Sequence, residues 1–234
     1  MMNVASTIKS LGVLPIVRLE NVKNAGKLAQ ALKRAELPLA EVVFRTKDAD
    51  KAIAGMKEAW PEMTLGAGTV LTTEQIERAA AAGATFILSP GTDPEIIDAS
   101  AARGLLPIPG CATATDVQMS VKHGVSLVKF FPAGLMGGTA AINALAAPFP
   151  QVQFIPTNGV GFPTLSEYAA NPHVAACAGI YPCPDALIAV ENWDEISRLC
   201  EKARRIVEAV RACVGALCER WGRPWQSGSG CPSG

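Results

Sequence analysis

The chain has 234 residues, enough for one large domain or two small ones, and 49% are hydrophobic, which supplies a large core. Its 21 basic and 21 acidic residues cancel, so no global field favours nucleic acid or a membrane surface as a partner. No apolar run reaches the length of a membrane span, and Asn3, Ser6, Thr7, Lys9 and Ser10 interrupt any signal-peptide core, so the expected compartment is the cytoplasm.

The N-terminal segment Asn3–Leu11 reads as a short helix stopped at Gly12, and Val13–Leu19 as a first strand. Apolar residues at Val22, Ala25, Leu28, Ala29, Leu32 and Ala35 have helical spacing over Asn21–Glu36. Leu39–Thr46 is a second strand, Asp48–Trp60 a helix, and Thr64–Val70 a third strand. Thr72 and Gln75 are spaced as a capping box for a helix that ends at Gly83. A fourth strand, Phe86–Gly91, leads to a helix capped by Asp93, with Pro94 at its first position and Gly104 just past its end. Leu105–Gly110 is a fifth strand, followed by a helix from Thr113 to His123. Leu127–Pro132 is the sixth strand, with a helix over Thr139–Ala147. Gln153–Gly159 and His173–Ile180 are the seventh and eighth strands, separated by a helix at Thr164–Ala170. A long amphipathic helix runs from Trp193 to about Cys218, and residues 222–234, rich in Gly, Ser and Pro, are expected to be a disordered tail.

Eight short apolar strands alternating with helices argue for a parallel sheet closed into a (β/α)8 TIM barrel, with an N-terminal helix and a long C-terminal one, as a single domain over residues 1–221. An open doubly wound sheet competes, but no G-x-G-x-x-G follows the first strand. Seven cysteines without a C-x-x-C, and two distant histidines, His123 and His173, give little support to a metal site. Reduced and mostly buried thiols are expected.

In such a barrel the chemistry lies at the C-terminal ends of the strands, which carry Arg18, Glu41, Arg45, Thr46, Thr69, Ser89, Lys129, Thr157 and Asn158. Lys129 stands at the end of an apolar strand, where desolvation disfavours the ammonium, and a neutral amine can form a Schiff base with a ketone. A lysine merely paired with a carboxylate is the alternative. Glu41, Val43 and Arg45 alternate along one strand and are expected to share its face. If that face is the interior, a proton-transfer carboxylate and a carboxylate-gripping guanidinium enter the same cavity as Lys129. An ion network filling the barrel centre is the competing explanation.

The segments E-V-V-F-R-T (Glu41–Thr46), G-A-G-T-V (Gly66–Val70), S-P-G (Ser89–Gly91), I-P-G (Ile108–Gly110), V-K-F-F-P-A (Val128–Ala133) and F-I-P-T-N-G (Phe154–Gly159), in this order, resemble the 2-keto-3-deoxy-6-phosphogluconate (KDPG) and 4-hydroxy-2-oxoglutarate aldolase family. The resemblance runs from about residue 5 to residue 210. It implies a homotrimeric class I aldolase without a cofactor, acting on a small-molecule substrate. Lys129 is then the Schiff-base lysine and Glu41 the general acid/base. Arg45 and Thr69 hold the pyruvate carboxylate, Thr157 lies beside the imine, Phe131 and Pro90 are apolar walls, and Arg18 joins the substrate-binding set. The family places a substrate phosphate on T-G-G and G-G-S-W loops; here those positions read Thr157-Asn158-Gly159 and Ala178-Gly179-Ile180-Tyr181. Asn158 is expected to keep the left-handed turn, whereas Ile180 lacks the hydroxyl and resists φ > 0, and Pro182 lacks an amide. The imine chemistry is therefore expected intact and the phosphate site of Asn158, Gly159, Gly179 and Ile180 weakened. An aldolase acting on unphosphorylated 4-hydroxy-2-oxoglutarate, and a trimeric scaffold with incidental catalysis, remain as alternatives.

Overall fold

A computed structural model describes residues 4–221; the expected tail over 222–234 lies outside the described residues. Helix α1 (Val4–Leu11) precedes β1 (Val13–Val17), and a 3-10 turn at Val22–Asn24 leads into α2 (Ala25–Arg34). Then come β2 (Leu39–Val43), α3 (Ala49–Ala59), β3 (Thr64–Gly68), α4 (Thr73–Ala81), β4 (Phe86–Leu88) and α5 (Pro94–Ala102). The next strands are β5 (Leu106–Ile108) and β6 (Gly110–Cys111), followed by α6 (Ala114–Lys122), β7 (Leu127–Phe130) and α7 (Gly138–Ala146). The chain continues with β8 (Gln153–Pro156), α8 (Leu165–Ala170), β9 (Cys177–Gly179), α9 (Asp185–Ala189) and α10 (Trp193–Trp221). No helix of the described residues is long and apolar enough to cross a membrane.

The fold is α/β with a curled parallel sheet. Six strands pair in the order β5-β4-β3-β2-β1-β9 and three in the order β6-β7-β8. Parallel bridges Phe154–Val174 and Thr157–Ala178 bring β8 against the segment of β9. On the other side the Lys129 amide donates to the Pro109 carbonyl at 2.9 Å. The expected fifth strand is split at Pro109, where the chain turns so tightly that a Cβ on Gly110 would lie 2.2 Å from the Pro90 carbonyl oxygen. The second strand ends at Val43, so Phe44, Arg45 and Thr46 belong to the turn that follows it.

Two apolar clusters flank the sheet. The larger joins outward-facing residues such as Val13, Val42, Ile87 and Val128 to the helices. The smaller lies within the curl and contains Leu14, Leu39, Phe86, Leu88, Leu127 and Ile155, with Ile8 of α1 packed among them. Strand side chains alternate between faces, so Glu41 two residues after Leu39, and Lys129 two after Leu127, are carried into that interior.

The helix ends follow their sequence signals. Thr72 caps α4 by accepting from the Gln75 amide, but Gln75 returns to the amide of Leu71 rather than of Thr72. Asp93 caps α5, with Pro94 beginning the helix. A reciprocal capping box at Thr113 and Asp116 opens the helix expected over Thr113 to His123. Helix α9 was not anticipated: it is one short turn between Pro184 and Val190. At the opposite end of the strands Arg211 of α10 donates to the carbonyls of Lys9, Val174 and Ala175, tying α1 and the approach to β9 onto the long helix.

Candidate active site

Lys129 is 6% exposed and Glu41 is fully buried, and Lys129 Nζ stands 3.5 Å from Glu41 Oε1. Neither Glu41 oxygen receives a hydrogen bond among the described residues. A carboxylate buried without a hydrogen bond from the protein carries a desolvation cost, a pattern found at reactive sites. The Phe131 ring lies 5.4 Å from Lys129 Nζ and forms an apolar face over the amine.

Arg45 stands in the turn after β2, beyond its last residue, Val43. The second strand, expected to run to Thr46, thus stops before Arg45. No ion pair joins Arg45 to Glu41 among the described residues; its Nε donates to Thr69 Oγ1 at 3.3 Å. Thr69 follows β3 with φ +57, a conformation uncommon for a β-branched residue, and its hydroxyl meets a neighbouring strand end.

Thr157 is buried at the end of β8, with its amide donating to the Phe130 carbonyl at 2.9 Å and its hydroxyl to Ile155 O at 3.3 Å. Ser89 is turned inward to Gly91 O, and Pro90 is half-buried against Gly110. The Thr46 hydroxyl is buried without a partner among the described residues. Arg18, exposed at the end of β1, is held by Asp185 at 3.1 Å and Glu20 at 3.5 Å. Asp185 was not picked out from the sequence. The available signal was Pro184 followed by an acid, a pattern of helix starts.

The loop after β8 keeps its turn: Asn158 has φ +70 and Gly159 φ +81, as the left-handed tolerance of Asn allows. A Cβ on Gly159 would lie 2.6 Å from Gly134 Cα, so the loops after β7 and β8 meet backbone to backbone. In the loop after β9, Gly179 packs under Tyr181, whose ring meets Phe162 edge-on at 5.3 Å. Ile180 is 55% exposed. Among the described residues those of positive φ outside glycine are Glu36, Thr69, Asn158 and Glu191, so the expected backbone conflict at Ile180 is corrected and only the missing hydroxyl and the added bulk remain.

The family model for KDPG and KHG aldolase matches residues 4–199. The chain belongs to this aldolase family. It is 41% identical over 207 residues to 2-dehydro-3-deoxy-phosphogluconate aldolase of Treponema pallidum, covering 88% of this chain and 99% of that protein. To the KHG/KDPG aldolase of Escherichia coli it is 34% identical over 209 residues, covering 88% and 96%. Among solved structures, the KDPG aldolase of Legionella pneumophila superposes with a TM-score of 0.83 at 33% identity, covering 86% of this chain and 98% of that one. That aldolase was crystallised with pyruvate captured at low pH as a covalent carbinolamine intermediate.

Within the aldolase fold these sequence-predicted residues fall into three groups. Lys129, Glu41, Phe131 and Thr157 gather around the end of β7, while Arg45 and Thr69 pair at the ends of β2 and β3. Asn158, Gly159, Gly179 and Ile180 lie on the loops after β8 and β9, which the Thr157–Ala178 bridge draws together. Among the described residues no group of three or more His, Cys, Asp or Glu could hold a metal ion.

Proposed function

We propose that the chain is a class I pyruvate-dependent aldolase that cleaves 2-keto-3-deoxy-6-phosphogluconate, or a related 2-keto-3-deoxy sugar acid, to pyruvate and an aldehyde. The observation that carries this reading is the buried Lys129–Glu41 pair at 3.5 Å inside the curl of the sheet. With its proton passed to Glu41, the Lys129 amine adds to the C2 ketone to give a carbinolamine; Glu41 returns that proton to the hydroxyl, which leaves as water and gives the iminium. The Glu41 carboxylate then takes the C4 hydroxyl proton, the C3–C4 bond breaks, and the bond's electron pair moves onto the iminium nitrogen to give an enamine. The aldehyde departs, C3 is protonated, and water releases pyruvate and the free lysine.

Arg45 and Thr69 bind the substrate carboxylate, Thr157 lies beside the imine, and Phe131 and Pro90 wall the cavity. Arg18 and the backbone of Asn158, Gly159 and Gly179 face the far end of the substrate, with Ile180 standing where a phosphate-binding hydroxyl is expected. The curled sheet reads as a closed (β/α)8 barrel in one domain, supported by the bridges between β8 and β9 and by the Lys129–Pro109 hydrogen bond. The homotrimer implied by the family is checked by light scattering. Ile180 favours a second reading, cleavage of unphosphorylated 4-hydroxy-2-oxoglutarate.

Borohydride reduction in the presence of pyruvate, followed by peptide mapping, tests the imine: the added mass is expected on the peptide that contains Lys129. Labelling elsewhere, or none, ends the class I reading. Rates with phosphorylated and unphosphorylated substrates then separate the two substrate classes.

A further inference from the structure

Strand β3 carries glycine at two positions of one face, Gly66 and Gly68, and both look into the interior of the curl. A Cβ on Gly66 would lie 2.1 Å from the Phe86 ring. A Cβ on Gly68 would lie 2.0 Å from Glu41 Oε1 and 2.6 Å from both Glu41 Cδ and Cγ. Neither Gly66 nor Gly68 has positive φ, so conformational freedom does not explain glycine here. The space does. Side-chain atoms essentially never approach to such distances, so any residue with a Cβ at 68 displaces the Glu41 carboxylate. Its own strand cannot supply the room, since β2 and β3 are locked in register with Val43 beside Gly68.

We infer that Gly68 is a positioning residue of the reaction: the missing side chain is the space that holds the Glu41 carboxylate 3.5 Å from Lys129. The inference rests on Glu41 being the proton-transfer group of the proposed aldolase. Gly68 touches no substrate and acts only through Glu41. Gly66 does the same for a purely structural neighbour, Phe86, and serves as the internal control.

The test uses two readouts on the full chain with pyruvate: borohydride trapping at Lys129, which reports the imine, and deuterium exchange at pyruvate C3 in heavy water, which reports proton transfer. Glu41→Ala is expected to cut exchange by about 100-fold or more while trapping, with solvent taking the Lys129 proton in place of Glu41, still goes to completion over long incubation. Gly68→Ala should produce the same split together with a lower Tm. Gly68→Ala in the Glu41→Ala background should cost no more than about twofold beyond Glu41→Ala alone and should regain the lost Tm, because the atoms that the new methyl meets are gone. Gly66→Ala should lower Tm through Phe86 but leave the ratio of exchange to trapping unchanged. Exchange retained in a folded Gly68→Ala protein, or a further loss in the double variant, overturns the inference. If Gly68→Ala does not fold alone, the double variant decides: folding as Glu41→Ala does supports the inference, and failure to fold overturns it. Normal exchange in Glu41→Ala itself sinks the proposed role of Glu41, a result distinct from either.

Discussion

The Arg45 guanidinium is steered by the hydroxyl of Thr69, which its Nε reaches at 3.3 Å from the adjacent strand end. In the proposed role, the two terminal guanidinium nitrogens grip the substrate carboxylate as a planar fork. Arg45→Lys keeps the charge but loses both the fork and the fixed direction. Loss of one charged hydrogen-bond partner is worth roughly 1.5–3 kcal/mol, so kcat/KM should fall about ten- to hundred-fold. Steady-state kinetics on the purified variant check this. Unchanged efficiency would place Arg45 outside the site.

The far end of the site should discriminate poorly between phosphorylated and unphosphorylated substrates. Ile180 offers no hydroxyl to an anion, whereas Asn158 already holds the left-handed turn. Ile180→Ser should therefore raise the preference for a phosphorylated substrate by about tenfold or more, mainly through KM. Adding Asn158→Gly should contribute little. A parent protein that already favours the phosphorylated substrate by several orders of magnitude refutes this.

Arg78 of α4 braces the turn that carries Arg45. It grips Asp50 through both carboxylate oxygens at 2.8 and 3.2 Å, donates to Lys47 O at 2.8 Å and lies 5.6 Å over the Phe44 ring. The hydrogen bond from Arg78 holds the Asp50 carboxyl below its ordinary value of 3.8. A carboxyl depressed in the folded state adds stability above its unfolded pKa, and that stability disappears as pH falls through the folded value. Asp50→Asn should lower Tm on the order of 1–3 °C at pH 7, with solvent screening limiting the effect. The difference should shrink below pH 3.8 and vanish well under it. Thermal melts across that range give the answer; an equal penalty at all pH values contradicts the argument.

Four cysteines should be silent in the native protein. Cys111, Cys177, Cys183 and Cys200 are all buried. Burial pushes the Cys177 thiol up to about 12. The Cys183 thiol is raised by its contact with Cys200, 3.6 Å away, and by burial. Thiolate is the reactive form, so iodoacetamide at pH 8 should label these four only after denaturation. Mass spectrometry of native and unfolded samples checks this, and rapid native labelling of Cys183 or Cys200 would contradict it.

Much of the site was legible because strand periodicity is strict. Once Leu127 and Leu39 face inward, Lys129 and Glu41 must follow, and their pairing needs only that β2 and β7 enclose the same space. The second strand was drawn on to Thr46 because F-R-T continues the apolar-polar alternation, but the chain turns after Val43. Pro109 and Gly110 were read as the end of one strand, because the close approach of the Pro90 carbonyl that bends them is a tertiary contact. Helix α9 is too short to show a period, and Pro182 and Pro184 disguised it as loop. The need for glycine at 68 was invisible for a different reason. It depends on how β3 lies against β2, and register is written in pairs of strands rather than in either one.

The clamp made by Arg211 also fixes where the polypeptide can be extended. Lys9 and Arg211 meet on the face from which the strands start, the opposite side from Lys129, and α10 runs on past that contact for about 15 Å at the helical rise. A fusion partner, surface anchor or fluorescent reporter joined directly to the end of α10 would therefore leave from the underside of the sheet. Immobilised through the end of α10, the protein would turn the strand ends that carry Lys129 to the solution, an orientation suited to flow reactors that pass ketoacids and aldehydes over a fixed catalyst.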